Sequence, residues 1–191
     1  MEEGEVRARK RGLRAEARAL APAPSSPTAA AEAQAQLRAL DVWGSARTVA
    51  LYAACQHEPP LNALAAELAA RGCVLAWPRV EDEELVLRRA LAAALAPGYS
   101  GILEPERGAE RVAVERVDVF VVPGLLFDRR GNRLGRGRGH YDRLLSGARS
   151  DSLRIGFAWA ERIVDELPVD AQDVTMHFVV TEAGRIDGAA R

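Results

Sequence analysis

The sequence predicts a single α/β domain, an open and mostly parallel sheet with helices on both faces. Three observations support this. Residues 47–78 run strand, helix, strand, the order of a parallel βαβ unit. "VDVFVVPG" (117–124) is an apolar run with four valines and a phenylalanine, suited to a strand covered on both faces. A glycine- and arginine-rich segment then follows that strand and leads into a short helical pattern, "HYDRLL".

Residues 5–20 have helical periodicity, with Val6, Leu13, Ala17 and Leu20 on one face and Arg7, Lys10, Arg11, Arg14 and Arg18 on the other. Pro22, Pro24 and Pro27 break that pattern, and Ser26 or Thr28 is expected to cap a second helix reaching about Leu40. "RTVALYAAC" (47–55) is of strand length, and "LNALAAELAARG" (61–72) is an amphipathic helix stopped by Gly72. "CVLAWP" (73–78) is a short strand ended by its proline, and "ELVLRRAL" (84–91) is expected at a sheet edge. Glycine and proline make 96–108 a loop, while "LRIGFAW" (153–159) and "MHFVVTE" (176–182) are further strands. One domain is expected over 1–191, with 1–20 as its N-terminal helix and 183–191 as a flexible tail.

Composition excludes several classes. With 48% hydrophobic and 28% charged residues the chain is globular, not intrinsically disordered. A net charge of −1 excludes a nucleic-acid-binding polycation. Cys55 and Cys73 cannot make a disulfide framework, no apolar run approaches the ~20 residues of a membrane helix, and the charged first 20 residues lack a secretory apolar stretch. A cytoplasmic monomer is expected, with neither nucleic acid nor membrane as partner.

The chemistry concentrates in "VPGLLFDRRGNRLGRGRGHYDRLL" (122–145). Gly135, Gly137 and Gly139 alternate, so backbone N–H groups can approach an anion without Cβ obstruction. Six arginines against Asp128 and Asp142 give +4 over residues 124–143, leaving −5 for the remainder. The spacing fits neither the dinucleotide fingerprint nor a Walker A loop. Asp142 suits a metal bound beside phosphates, or is a helix-start aspartate favoured by the dipole. Glu58 and Asp173 read equally as loop carboxylates. Lys10 is the one lysine among 26 basic residues. With Arg14 one turn later it forms an anion clamp or part of a solvated basic face. None of His57, His140 and His177 has metal-ligand spacing with another.

This segment resembles the 5-formyltetrahydrofolate cyclo-ligases, with their P-G-x-x-F-D and R-L-G-x-G-x-G-x-Y-D-R motifs. "KRGLR" (10–14), "LYAACQHEPP", "GILEPE" (101–106) and "ELPVDAQDVTMHFVVTE" resemble that family's other segments in the same order. The resemblance implies an ATP- and Mg²⁺-dependent ring closure of 5-formyltetrahydrofolate to 5,10-methenyltetrahydrofolate, through a phosphorylated formyl group. It implies that Lys10 and Arg14 hold ATP phosphates with Arg133, Leu134, Gly135, Arg136, Gly137, Arg138, Gly139, His140 and Tyr141. Lys10 and Arg138 would be catalytic. Glu58 would bind the reduced pterin, with Ala53, Arg136, His140 and Tyr141 beside it, and Asp142 and Asp173 would hold Mg²⁺. Three positions depart from the family pattern: His140 for tyrosine, Arg162 for glutamine and His177 for aspartate. A paralogue with another substrate, or a non-catalytic nucleotide or RNA binder, is the alternative.

Overall fold

A computed structural model describes residues 3–20, 27–55 and 58–189; Pro22, Pro24, Ser26 and His57 lie outside them. Helices α1 (Glu3–Ala19) and α2 (Pro27–Arg38) precede β1 (Thr48–Ala50), α3 (Asn62–Ala70), β2 (Val74–Glu81) and β3 (Glu84–Arg89). Short strands β4 (Ala96–Pro97), β5 (Leu103–Glu104) and β6 (Arg111–Val112) lead to β7 (Val119–Val122). The hairpin β8 (Leu126–Asp128) and β9 (Arg133–Leu134) then comes before α4 (His140–Ser146). β10 (Leu153–Phe157), β11 (Ile163–Val164), β12 (Phe178–Thr181) and β13 (Gly184–Asp187) complete the chain.

The main sheet has the order β13-β12-β10-β7-β1-β2-β3-β6. Its five central strands, β12 to β2, are parallel, while β13, β3 and β6 pair antiparallel at the two sides. β1, α3 and β2 are the expected βαβ unit. Strand periodicity divides the core. Val49, Val119, Val121, Ile155 and Val180 point to the face covered by α2 and α3. Ala50, Phe120, Val122 and Val179 point to the face covered by Leu145 of α4 and Phe127 of β8. Helices thus cover both faces, as the sequence predicts. Phe127 is fully buried, a gain of about 1.5–3 kcal/mol for such a ring. It lies so close over β10 that a Cβ at Gly156 would come within 2.6 Å of its ring.

The structure corrects several local expectations. Lys10 belongs to the buried stripe of α1, with Val6 and Ala17 one and two turns away, because Asp170 and Asp173 meet its charge there. Leu20 lies past the helix end and is exposed. Thr28 lies inside α2 and does not cap it. Pro78 does not end β2. Two residues on, the Val80 amide points away from β3 to Glu104 Oε1, so Pro78 faces the same side, beyond the end of β1, where no ladder N–H is needed. β3 is covered at its outer side by β6 and is not an edge. The segment 96–108 contains the β4–β5 hairpin. The expected tail includes β13, paired with β12 from Phe178↔Asp187 to Thr181↔Gly184.

The strand order also locates a binding crevice. From β1 the chain proceeds to β2 on one side, then from β7 through β10 to β12 on the other. The carboxyl ends of β1 and β7 therefore diverge at a topological switch point, where open α/β sheets bind ligands.

Candidate active site

A cleft of about 1120 Å³ opens at that switch point. Tyr52, Ala53 and Glu58 follow β1 into it, Pro123 and Gly124 follow β7, and α1 crosses its mouth. Lys10, Arg14, Asp173 and every position from Arg133 to Asp142 line it too, so residues separated by 163 positions share one wall.

The β8–β9 hairpin, unforeseen in the sequence, separates the glycine loop from β7. Asp128 builds its turn: the fully buried carboxylate accepts the Arg130 and Asn132 amides at Oδ1, and Asn132 Nδ2 and the Leu167 amide at Oδ2. Gly137 (φ 105°) and Gly139 (φ 66°) then take left-handed conformations that admit glycine readily, and α4 starts directly after them. Leu134 is buried against Ala17, Leu126 and Leu167, so its side chain packs the base of the loop.

The six arginines of this segment have separate fates. Arg129 and Arg130 pair with Asp165 and Glu166 away from the cleft. Arg133 is buried and donates through Nη2 to both Asp142 oxygens at 3.0 Å. Arg136 reaches Glu58 Oε1 at 3.3 Å and Cys55 Sγ at 2.5 Å. Arg138 lies over the Tyr99 ring at 5.3 Å, and no carboxylate among the described residues pairs with it. Arg143 lines the wall.

On the opposite side, Lys10 Nζ donates to Asp170 Oδ2 at 2.7 Å and also to Asp173 Oδ2. Arg14 Nε donates to the Gly135 carbonyl at 3.0 Å, and Arg18 to that of Arg136 at 3.3 Å. The expected phosphate holders Lys10 and Arg133 are thus ion-paired with the expected metal holders Asp173 and Asp142. Val174 N–H approaches Asp142 Oδ1 at 3.4 Å, bringing the two acidic segments together.

The charge balance is cationic. Burial, then neighbouring Arg18, lowers the Arg14 pKa. Burial, then Arg143 and Arg138, lowers that of His140, with Glu83 of the β2–β3 turn opposing them. Asp170 is held below the usual carboxylate range chiefly by the hydrogen bond from Lys10. Burial, with Glu58 next, raises the Tyr52 and Tyr141 pKa values.

Asp170, Arg18, Tyr99 and Glu104 line the cleft without having been singled out in the sequence. For Asp170 a signal existed, since it precedes Asp173 by three residues. Glu104 falls within "GILEPE", which resembles a family segment, whereas Tyr99 had no signal because its segment reads as loop. Among the departures from the family pattern, His140 alone lines the cleft. His177 Nδ1 accepts the Arg154 amide at 3.0 Å, a structural bond, and Arg162 contacts α1.

A switch-point cleft with an arginine-rich loop and paired carboxylates defines an α/β enzyme acting on an anionic small molecule. The chain belongs to the 5-formyltetrahydrofolate cyclo-ligase family, whose model matches residues 2–182. It is 32% identical over 146 residues to a 5-formyltetrahydrofolate cyclo-ligase of Mycolicibacterium smegmatis, covering 72% of this chain and 74% of the relative. It is 26% identical to the mouse enzyme of the same name, covering 93% of this chain and 95% of the relative. The solution structure of Aquifex aeolicus 5,10-methenyltetrahydrofolate synthetase superposes with a TM-score of 0.78 at 32% identity, covering 95% of this chain and 91% of that one. The chain is accordingly a ligase.

Proposed function

We propose that this enzyme converts 5-formyltetrahydrofolate to 5,10-methenyltetrahydrofolate with ATP, releasing ADP and phosphate. The observation that carries this reading is the union, in one cleft, of Glu58 after β1 with a cationic loop and α1 opposite. At about 1120 Å³ the cleft exceeds the ~300–1000 Å³ of a single-ligand pocket and has room for two substrates side by side.

A formamide carbon is a poor electrophile because its oxygen leaves badly. Transfer of the γ-phosphoryl group to that oxygen breaks the bond to ADP and makes an iminium phosphate. N10 then attacks the formyl carbon and loses its proton, and the C–O bond breaks as phosphate departs. No protein nucleophile is required; positioning and positive charge suffice. Lys10 and Arg14 hold ATP phosphates from α1, and the glycine loop approaches them with its backbone. Glu58, set by its bond to the Cys55 amide at 3.1 Å, orients the pterin.

Asp142 and Asp173 fit a Mg²⁺ ion carried by the nucleotide, since such ions take one or two carboxylates and otherwise phosphate and water oxygens. Among the described residues no group of three His, Cys, Asp or Glu could hold a metal by itself. The ion's contribution when bound would be to neutralise phosphate charge.

A cytoplasmic address is supported by a chain whose two cysteines are not joined to each other. No helix among the described residues is long and apolar enough to cross a membrane.

The test is the rise in near-UV absorbance as the methenyl product forms from 5-formyltetrahydrofolate and Mg-ATP. Folded protein giving no ATP-dependent product would remove the reading. Lys10→Ala is expected to weaken ATP binding by about one to two decades, as losing a charge-assisted hydrogen bond does, measured by calorimetric titration. Lys10→Arg is expected to lose affinity as well. The Lys10 side chain is 6% exposed and meets two carboxylates with one compact ammonium, a geometry a planar fork cannot copy. Parental affinity in Lys10→Arg would show that charge alone matters there.

A further inference from the structure

α1 carries Lys10, Arg14 and Arg18 to the cleft, yet its buried residues are only Val6, Lys10 and Ala17. Polar contacts must therefore do much of the work of holding it. On the cleft side, those contacts go to Asp170, Asp173 and the carbonyls of Gly135 and Arg136. These partners lie where phosphate and metal are expected, so ligand binding would compete for them. One contact is placed differently. Arg162, 2% exposed and away from the cleft lining, donates through Nη1 to the Ala17 carbonyl at 2.7 Å. Ala17 is in the last turn of α1, where no amide within the helix serves the carbonyls and a cation meets the negative end of the helix dipole.

The anchor behind Arg162 is firm. The Ala160–Arg162 turn directly follows β10 and Trp159, and the Ala160 amide donates to both Glu182 oxygens, at 3.2 and 3.0 Å, at the end of β12. Two parallel strands thus hold the turn that carries Arg162.

We propose that Arg162 is a positioning residue, clipping the C-terminal turn of α1 to the sheet so that Lys10 and Arg14 stay over the cleft while their own partners change. This rests on the reading that α1 holds ATP phosphates.

The experiment compares the parent enzyme with Arg162→Met, which keeps bulk without a donor, and Arg162→Lys, which keeps charge and a donor. In Arg162→Met the KM for ATP is expected to rise about tenfold, with kcat at saturating ATP and the KM for the folate close to parental. Amide hydrogen exchange is expected to quicken in α1 and stay parental in β1, β7 and β10. Arg162→Lys is expected to show the same split in smaller measure, which keeps the test available should Arg162→Met fail to fold. Parental ATP KM and parental α1 exchange overturn the proposal. So does a uniform loss, with both KM values, kcat and melting temperature changing together, for that would mark Arg162 as general scaffold. A parent enzyme without ATP-dependent turnover would instead overturn the reaction reading, while α1 exchange would still report on the clip.

Discussion

Replacing Arg138 with alanine is expected to lower turnover about 10³-fold, far more than it weakens ATP binding. Among the arginines between Arg133 and Asp142 the geometry singles out this one. Arg133 and Arg136 face the cleft already neutralised by Asp142 and Glu58, and Arg14 and Arg18 are committed to carbonyls. Among the described residues Arg138 rests only on the face of Tyr99, a tether worth about 0.5–1 kcal/mol at an exposed site. Within the glycine loop its charge is the one most readily spent on a transferring phosphoryl group. Groups that meet charge only as it develops act on kcat, whereas groups that meet it in the ground state act on KM. A 10³-fold effect is about 4 kcal/mol, within the span of known arginine contributions to phosphoryl transfer. Steady-state rates followed by methenyl absorbance decide it. A rise in the ATP KM at parental kcat would reduce Arg138 to a ground-state phosphate contact.

What the sequence revealed and what it hid divide along physical lines. β7 was legible because a strand covered on both faces must be apolar at every position, and all four of its residues are buried. The glycine loop was legible because backbone approach to an anion leaves a compositional trace. Lys10 on the buried side of α1 was not, since a charge sits there only if carboxylates 160 and 163 residues away arrive to meet it. Asp128 likewise read as a unit of charge, although its four hydrogen bonds organise the hairpin beneath the loop. β3 looked like an edge because the covering strand β6 is two residues long and leaves no periodic signal. Tyr99 reaches the cleft through tertiary packing of a segment without a periodic pattern of its own. The family resemblance supplied roles for single residues, and the fold supplied their pairing.

That pairing makes the strongest stability prediction. The Arg133 side chain is 4% exposed and that of Asp142 is 19% exposed, and both carboxylate oxygens accept from the same guanidinium nitrogen. Removing one partner from such a pair leaves a desolvated charge without its counterion, a loss of about 3–5 kcal/mol. For a domain whose total stability is on the order of 5–15 kcal/mol, that is a large share. Arg133→Met is expected to show it in urea unfolding without Mg²⁺, because among the described residues Asp142 then keeps the long contact from Val174 N–H and the nearby charge of Arg14, with no direct ion pair. Asp142→Asn should cost less, since the amide oxygen still accepts from Arg133. The double variant should lose less than the sum of the singles, with a coupling of about 1–3 kcal/mol, because neither charge is stranded. Activity separates the two roles of Asp142. If it also holds Mg²⁺, raising Mg²⁺ should partly restore turnover in Asp142→Asn without restoring its unfolding midpoint. Additive losses in the double variant would mean that the ion pair contributes no coupling. Turnover indifferent to Mg²⁺ would leave Asp142 as the counterion of Arg133 alone.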